Sequence, residues 1–210
     1  RGRFFLLGGS VALKKITLEW NAVTTWEDEH RPGRESLKKI IQAHDLLFDV
    51  GIVTTAASEN AEGGNFPKTG IEFRNRLKQH HWDHLKHILT QCRVGLTYFG
   101  LCRITSVDGN EALIGSLWDI VRGNTPRDWL VFAQEKGILE GEEVTAPSFH
   151  KWRNHWCDVY SMEAHIVAKR DVFVTGDKKN FAGDRKQKLI DLGIGDICTY
   201  DEAWEKYRCE

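Results

Sequence analysis

Asp158-Val-Tyr-Ser-Met-Glu-Ala-His-Ile-Val-Ala-Lys-Arg-Asp-Val-Phe-Val-Thr-Gly-Asp177 changes period partway along, and that change sets the fold class. Counting from Trp152, the residues Trp152, Trp156, Val159, Ile166 and Val167 fall on one arc of a helix with 3.6 residues per turn. Lys151, Asn154, Asp158, Ser161, His165 and Lys169 form a polar stripe roughly opposite, which reads equally well as a solvated face. After Lys169 the pattern gives way to Val172-Phe-Val-Thr175, a short β-rich run that leads into Asp177. Glu163 projects about 140° from Asp158 at ~100° per residue, so the two acids cannot serve one site. Glu163 reads as a packing or ion-pair residue.

The same alternation extends outward in both directions. Strand-like runs occupy residues 15–19, 51–56, 94–104, 172–175 and 197–199, and helical patterns occupy 35–48, 73–92, 110–121, 152–168 and 201–208. Strands that alternate with helices predict a mostly parallel central sheet covered on both faces, a three-layer α/β/α fold. Gly63-Gly64, Pro67, Gly123-Asn124, Pro126 and Gly141 punctuate the middle, which predicts a helical or irregular insertion over about residues 63–147. The 210 residues then form one domain, 1–210, carrying that insertion.

Three of the predicted strands lead to an acid: the first into Glu19, the second toward Glu59 and the fourth into Asp177. Ligands in open α/β sheets bind outside the carboxyl ends of the strands, so these acids, with Asp158 from the preceding helix, can share one crevice. Clustered carboxylates repel one another, and such a group ordinarily exists to hold cations. Oxygen donors suit Mg²⁺ or Mn²⁺, and such ions promote phosphodiester hydrolysis. Lys178 and Lys179 directly follow Asp177, where they can meet phosphates or form a solvated turn. His165, on the polar stripe, is a further candidate for nucleic-acid contact. Asn21 and Thr175 fit positions that orient carboxylates by hydrogen bonds, and equally fit ordinary turn chemistry.

Asp158 to Asp177 resembles the acidic helix start, small-residue helix and Thr-x-Asp strand end of the PIN domain family of metal-dependent nucleases. The likeness continues through Lys178, Lys179, Phe181, Leu189, Leu192-Gly-Ile194 and Ile197-Cys-Thr199, and Ile16-Thr-Leu-Glu-Trp-Asn21 resembles the family's opening strand. It spans roughly residues 15–60 and 150–208. The resemblance implies an endoribonuclease with Glu19, Glu59, Asp158 and Asp177 as catalytic, metal-holding acids. It also implies an RNA substrate, a homodimer and, because the family includes RNA-cutting toxins of toxin–antitoxin pairs, an inhibitory protein partner. Glu19 departs from the family's usual aspartate and moves the carboxylate out by one methylene. The alternative is therefore a catalytically impaired PIN-like module that binds RNA or a protein partner.

Lys and Arg number 29 against 30 Asp and Glu, so the net charge of −1 provides no global field for phosphate backbones, and any grip on nucleic acid must be local. Cys92, Cys102, Cys157, Cys198 and Cys209 form no C-x-x-C pair and read as core thiols of a reducing, cytoplasmic protein. No apolar run suggests a membrane span. On the helix predicted over 73–92, His80, His84 and His87 share a face, as metal ligands would, but they lack a Glu between them and read better as part of a basic or solvated surface. Most of the eight tryptophans belong to the core. Trp20, after Glu19, is the exception expected at the mouth of the site.

Overall fold

A computed structural model of the chain describes residues 12–57, 69–93, 96–104, 110–138, 147–177, 181 and 183–209. Five strands form one sheet: β1 (Lys14–Leu18), β2 (Phe48–Val53), β3 (Lys86–Ile88), β6 (Val172–Val174) and β7 (Asp196–Cys198). Their order is β3-β2-β1-β6-β7, and every pairing is parallel. Two further short strands, β4 (Thr90–Gln91) and β5 (Cys102–Arg103), pair in a separate parallel ribbon.

Alternation along the strands sorts side chains into two cores. Ile16, Leu18, Val50, Ile52, Val172 and Val174 point to one face. There they meet α1 (Asn21–Glu27), α2 (Arg34–Gln42), α3 (Gly70–Gln79) and α8 (Tyr200–Tyr207) through residues such as Val23, Leu37, Phe73 and Ala203. Phe173 and Ile197 point to the other face, toward α4 (Glu111–Arg122), α5 (Trp129–Glu135), α6 (Pro147–Val167) and α7 (Asp184–Leu189). The expected three-layer α/β/α arrangement is therefore present, with β2 and β6, either side of β1, buried along their whole length. Gly195 shows how tightly β7 is entered. Its φ is 74°, and a Cβ there would lie 2.4 Å from the Asp171 carbonyl oxygen, so only glycine lets the strand begin beside β6.

Several boundaries differ from expectation. The helix predicted over 73–92 ends at Gln79. His81 then takes a positive φ of 59°, and the chain re-enters the sheet as β3. Trp82, Leu85 and Ile88 recur every three residues and so mimic a helix face, yet each is buried in the turn and edge strand instead. Lys86 fixes the register by reaching Asp49 on β2 at 2.7 Å. The histidines consequently part company. His80 bonds Glu27 at 2.7 Å, while the His84 and His87 rings lie beside His44 and Phe73. Of the strand predicted over 94–104, only Cys102–Arg103 is paired among the described residues. Residues 63–147 thus supply the sheet's edge strand as well as helices. Among the described residues, no helix is long and apolar enough to cross a membrane.

Candidate active site

The sheet's strand order reverses beside β1: β2 and β3 lie on one side of it, β6 and β7 on the other. At such a switch point the connections leave in opposite directions and open a crevice at the carboxyl ends of the strands. Glu19 leaves β1 there, and Thr175-Gly-Asp177 leaves β6. Residues 156 apart in sequence are joined at this point. Asn21 Nδ2 donates to Glu19 Oε1 at 2.9 Å, the Thr175 hydroxyl donates to the same oxygen at close range, and the Asp177 backbone N–H donates to Thr175 Oγ1 at 2.9 Å. Asn21 and Thr175, both named from the sequence, thus each donate to the Glu19 carboxylate.

Glu19 is only 5% exposed. Burial raises the pKa of its carboxyl, and the nearby Asp177 charge adds to this. The hydrogen bonds from Thr175, Asn21 and the Gly176 backbone oppose the shift without cancelling it. Tyr200, absent from the sequence-based candidates, borders the same group. Its ring and hydroxyl lie against Gly176, and burial and the Glu19 charge hold its phenol far above the ordinary range. It stays protonated and offers Glu19 no positive charge. Trp20, expected at the mouth, is instead 1% exposed and packs against Phe73 with Arg76 over its ring.

Asp158 lies on α6, where its carboxylate forms a close ion pair with Arg122 at the end of α4. Burial lowers the Arg122 pKa to about 10, with a contribution from Arg185 and against the pull of Asp177. The guanidinium remains charged at neutral pH, and its buried Nε has no hydrogen-bond partner among the described residues. Arg122 is therefore paired with Asp158 and within the field of Asp177. No sequence signal marked it, because an arginine in the last turn of a helix is ordinary dipole chemistry.

Of the polar stripe, Ser161 and His165 face the sheet, Asn154 and Asp158 are half-buried, and Lys151 and Lys169 at its ends are exposed. Ser161 shares a hydrogen bond with Thr55 at 2.6 Å, at the end of β2. His165 is fully buried, with Nδ1 2.7 Å from Thr17 Oγ1 and Nε2 2.7 Å from the Ile194 carbonyl. Burial depresses its pKa to about 4, so it is neutral and sealed in, and the expected nucleic-acid contact at His165 is corrected to a sheet–helix tie. Glu163 is the ion-pair residue its projection implied, held by Arg103 at 2.6 Å and Asn110 at 2.7 Å. Glu59, Lys178 and Lys179 lie outside the described residues.

Glu19 and Asp177 fit a hard divalent cation chemically. They are oxygen donors whose mutual repulsion a cation would relieve. Asp158 already has a counter-ion in Arg122. Among the described residues, no three His, Cys, Asp or Glu side chains are grouped closely enough to hold one metal ion. No family model, curated protein or solved structure matches the chain.

Proposed function

We propose that this protein is a metal-dependent endoribonuclease that hydrolyses RNA phosphodiester bonds at the carboxyl end of its sheet. The observation that carries this reading is the bonded series Asp177 N–H, Thr175 hydroxyl, Glu19 carboxyl at the switch point. It places a buried acid whose ionised form is disfavoured beside a second carboxylate. Perturbed acids in a crevice are a signature of function, although ion-pair networks also shift pKa values. Among the described residues, the groups that perturb Glu19 most include no cation.

In this reading Glu19 and Asp177 would hold Mg²⁺ or Mn²⁺, and Asp158, once parted from Arg122, and Glu59 would complete the set. When bound, such an ion would acidify water and offset charge on the phosphodiester. The protein's own part is positioning. Asn21 and Thr175 fix one oxygen of Glu19. Thr175 also accepts from the Asp177 backbone N–H, which ties the segment that bears Asp177 to Glu19. Arg122 offers a cation for a phosphate oxygen once Asp158 is otherwise engaged. Lys178 and Lys179 add further positive charge in this reading.

A second reading, a catalytically impaired module that binds RNA or a protein partner, is favoured by one observation: Asp158 is spent on Arg122. Manganese-dependent cleavage of end-labelled single-stranded RNA separates the two. The wild-type protein should cut, and Asp158→Asn and Asp177→Asn should each remove cutting while leaving the melting temperature within a few degrees. Equal cleavage by both variants and the parent would sink the nuclease reading. Glu19→Asp shortens the arm by one methylene. If cleavage appears only in that variant, the natural protein is the impaired module.

A further inference from the structure

Arg122 and Asp158 come from two different helices, α4 and α6, and form a close ion pair. The helix that carries Asp158 fixes where that pair lies. His165 of α6 bonds Thr17 within β1, and Ser161, one turn earlier, shares a hydrogen bond with Thr55 just past the end of β2. α6 therefore runs antiparallel to the strands. Asp158 lies on the same helical face as Ser161 and His165, about 4.5 Å further along the axis at ~1.5 Å per residue, which carries it beyond the carboxyl ends of the sheet where Glu19 and Asp177 follow their strands. The Arg122 side chain is 13% exposed, against 28% for Asp158. The two meet through Asp158 Oδ2 and a terminal nitrogen of the guanidinium, while the buried Arg122 Nε has no hydrogen-bond partner among the described residues. A phosphate can present one oxygen to Nε and another to a terminal nitrogen, the forked geometry that suits arginine.

We propose that Arg122 is a phosphate-binding residue that Asp158 masks at rest, so that filling the carboxylates with a divalent cation and filling Arg122 with an RNA phosphate favour each other. The inference rests on the nuclease reading for the identity of both ligands and adds the dependence between them. Either ligand alone must part the ion pair and leave a largely buried charge without its counter-ion, which is costly. Asp158 given to a cation strands Arg122, and Arg122 given to a phosphate strands Asp158. With both ligands in place each charge has a new partner, and the cost of parting falls once on the two together. Coupling of this kind is reciprocal: the factor by which RNA tightens the cation equals the factor by which the cation tightens RNA, and about tenfold is ordinary. Direct attraction between cation and phosphate exists in any such site. The latch is the share that disappears with Arg122.

Anisotropy of a short fluorescein-labelled phosphorothioate RNA, titrated with the full chain at fixed salt, tests the masking without metal. In EDTA, Asp158→Asn should bind this RNA about tenfold tighter than the parent, and adding Arg122→Gln to that variant should abolish the gain. Equal affinity of Asp158→Asn and the parent overturns the masking, as does a gain that survives Arg122→Gln, which would come from the lost negative charge alone. The reciprocal arm needs only Arg122→Gln, a variant that strands no buried cation, and reads free Mn²⁺ by paramagnetic resonance with and without the RNA. The parent should bind Mn²⁺ about tenfold tighter when RNA is present, and Arg122→Gln should lose most of that factor. The full factor retained in Arg122→Gln overturns the coupling and leaves the nuclease reading standing. A parent that binds no Mn²⁺, yet gains RNA affinity through Asp158→Asn, overturns the nuclease reading and the coupling while the masking of Arg122 stands.

Discussion

Asp49 and Glu19 are both buried acids of the central strands, one near the amino end of β2 and the other just past the carboxyl end of β1, and the chain surrounds them in opposite ways. Asp49 receives Lys86 at 2.7 Å and Arg170 at 3.4 Å, and the Arg170 guanidinium also bonds the Asp49 and Ile16 carbonyls. Burial pushes the Asp49 carboxyl up, but the Lys86 hydrogen bond and the Arg170 charge outweigh it and leave the group below its ordinary value. Among the described residues, Glu19 receives only neutral donors and has another acid nearby, and its pKa rises. One end of the sheet is a finished ion network, and the other keeps an uncompensated charge. Burial alone does not mark a site; missing compensation does.

The largest effect that would break or sharpen this contrast is on activity. Glu19→Gln should lower manganese-dependent RNA cleavage roughly 1,000-fold, about 4 kcal/mol of barrier, while Asp49→Asn should cut RNA like the parent under conditions where both are folded. Comparable losses in the two variants would erase the distinction between the two ends. Next comes stability. Asp49→Asn strands the Arg170 cation and should cost about 3 kcal/mol in urea unfolding. A cost near zero would show that the network is slack.

Arg122 offers a third measurement, smaller in size. Arg122→Gln releases Asp158 and should tighten Mn²⁺ binding about tenfold, read by paramagnetic resonance of free Mn²⁺. Weaker binding would mean that Arg122 holds Asp158 in place for the ion. The smallest effect concerns pH. A carboxyl whose pKa is raised on folding favours the fold below its unfolded value of 4.5, and that support is lost as pH rises through the folded pKa. Asp49 works the other way, stabilising above its unfolded value of 3.8 and losing that support as pH falls. Glu19→Gln should therefore be more stable than the parent at pH 7 and lose that advantage at pH 4. A gain independent of pH would point to packing instead of charge.

The acids after β1 and β6 were legible because alternation along a strand and the residue that follows it are local properties. The α/β/α layering was legible for the same reason. Arg122 was not, since its meaning arises only when α4 packs on α6 and brings it to Asp158. His165 was misjudged through an assumption about faces. A polar stripe usually meets water, but here Thr17 and Thr55 give the sheet a polar track for Ser161 and His165 to seal against. The edge strand β3 was hidden in an apolar spacing of three, and its three residues gain strand character only from pairing with β2.

The bond between Thr175 and Glu19 closes a span of 156 residues. A ribosome adding about 5–20 residues per second needs roughly 10–30 s to make the second partner after the first. For that time β1 has emerged without β6, its neighbour in the sheet, and the carboxylate pair does not exist. Non-local pairing of this kind also slows folding itself. The topology thus delays the assembly of the crevice until β6 has been synthesised, so a nascent or prematurely terminated chain ending before Asp177 cannot carry the carboxylate pair.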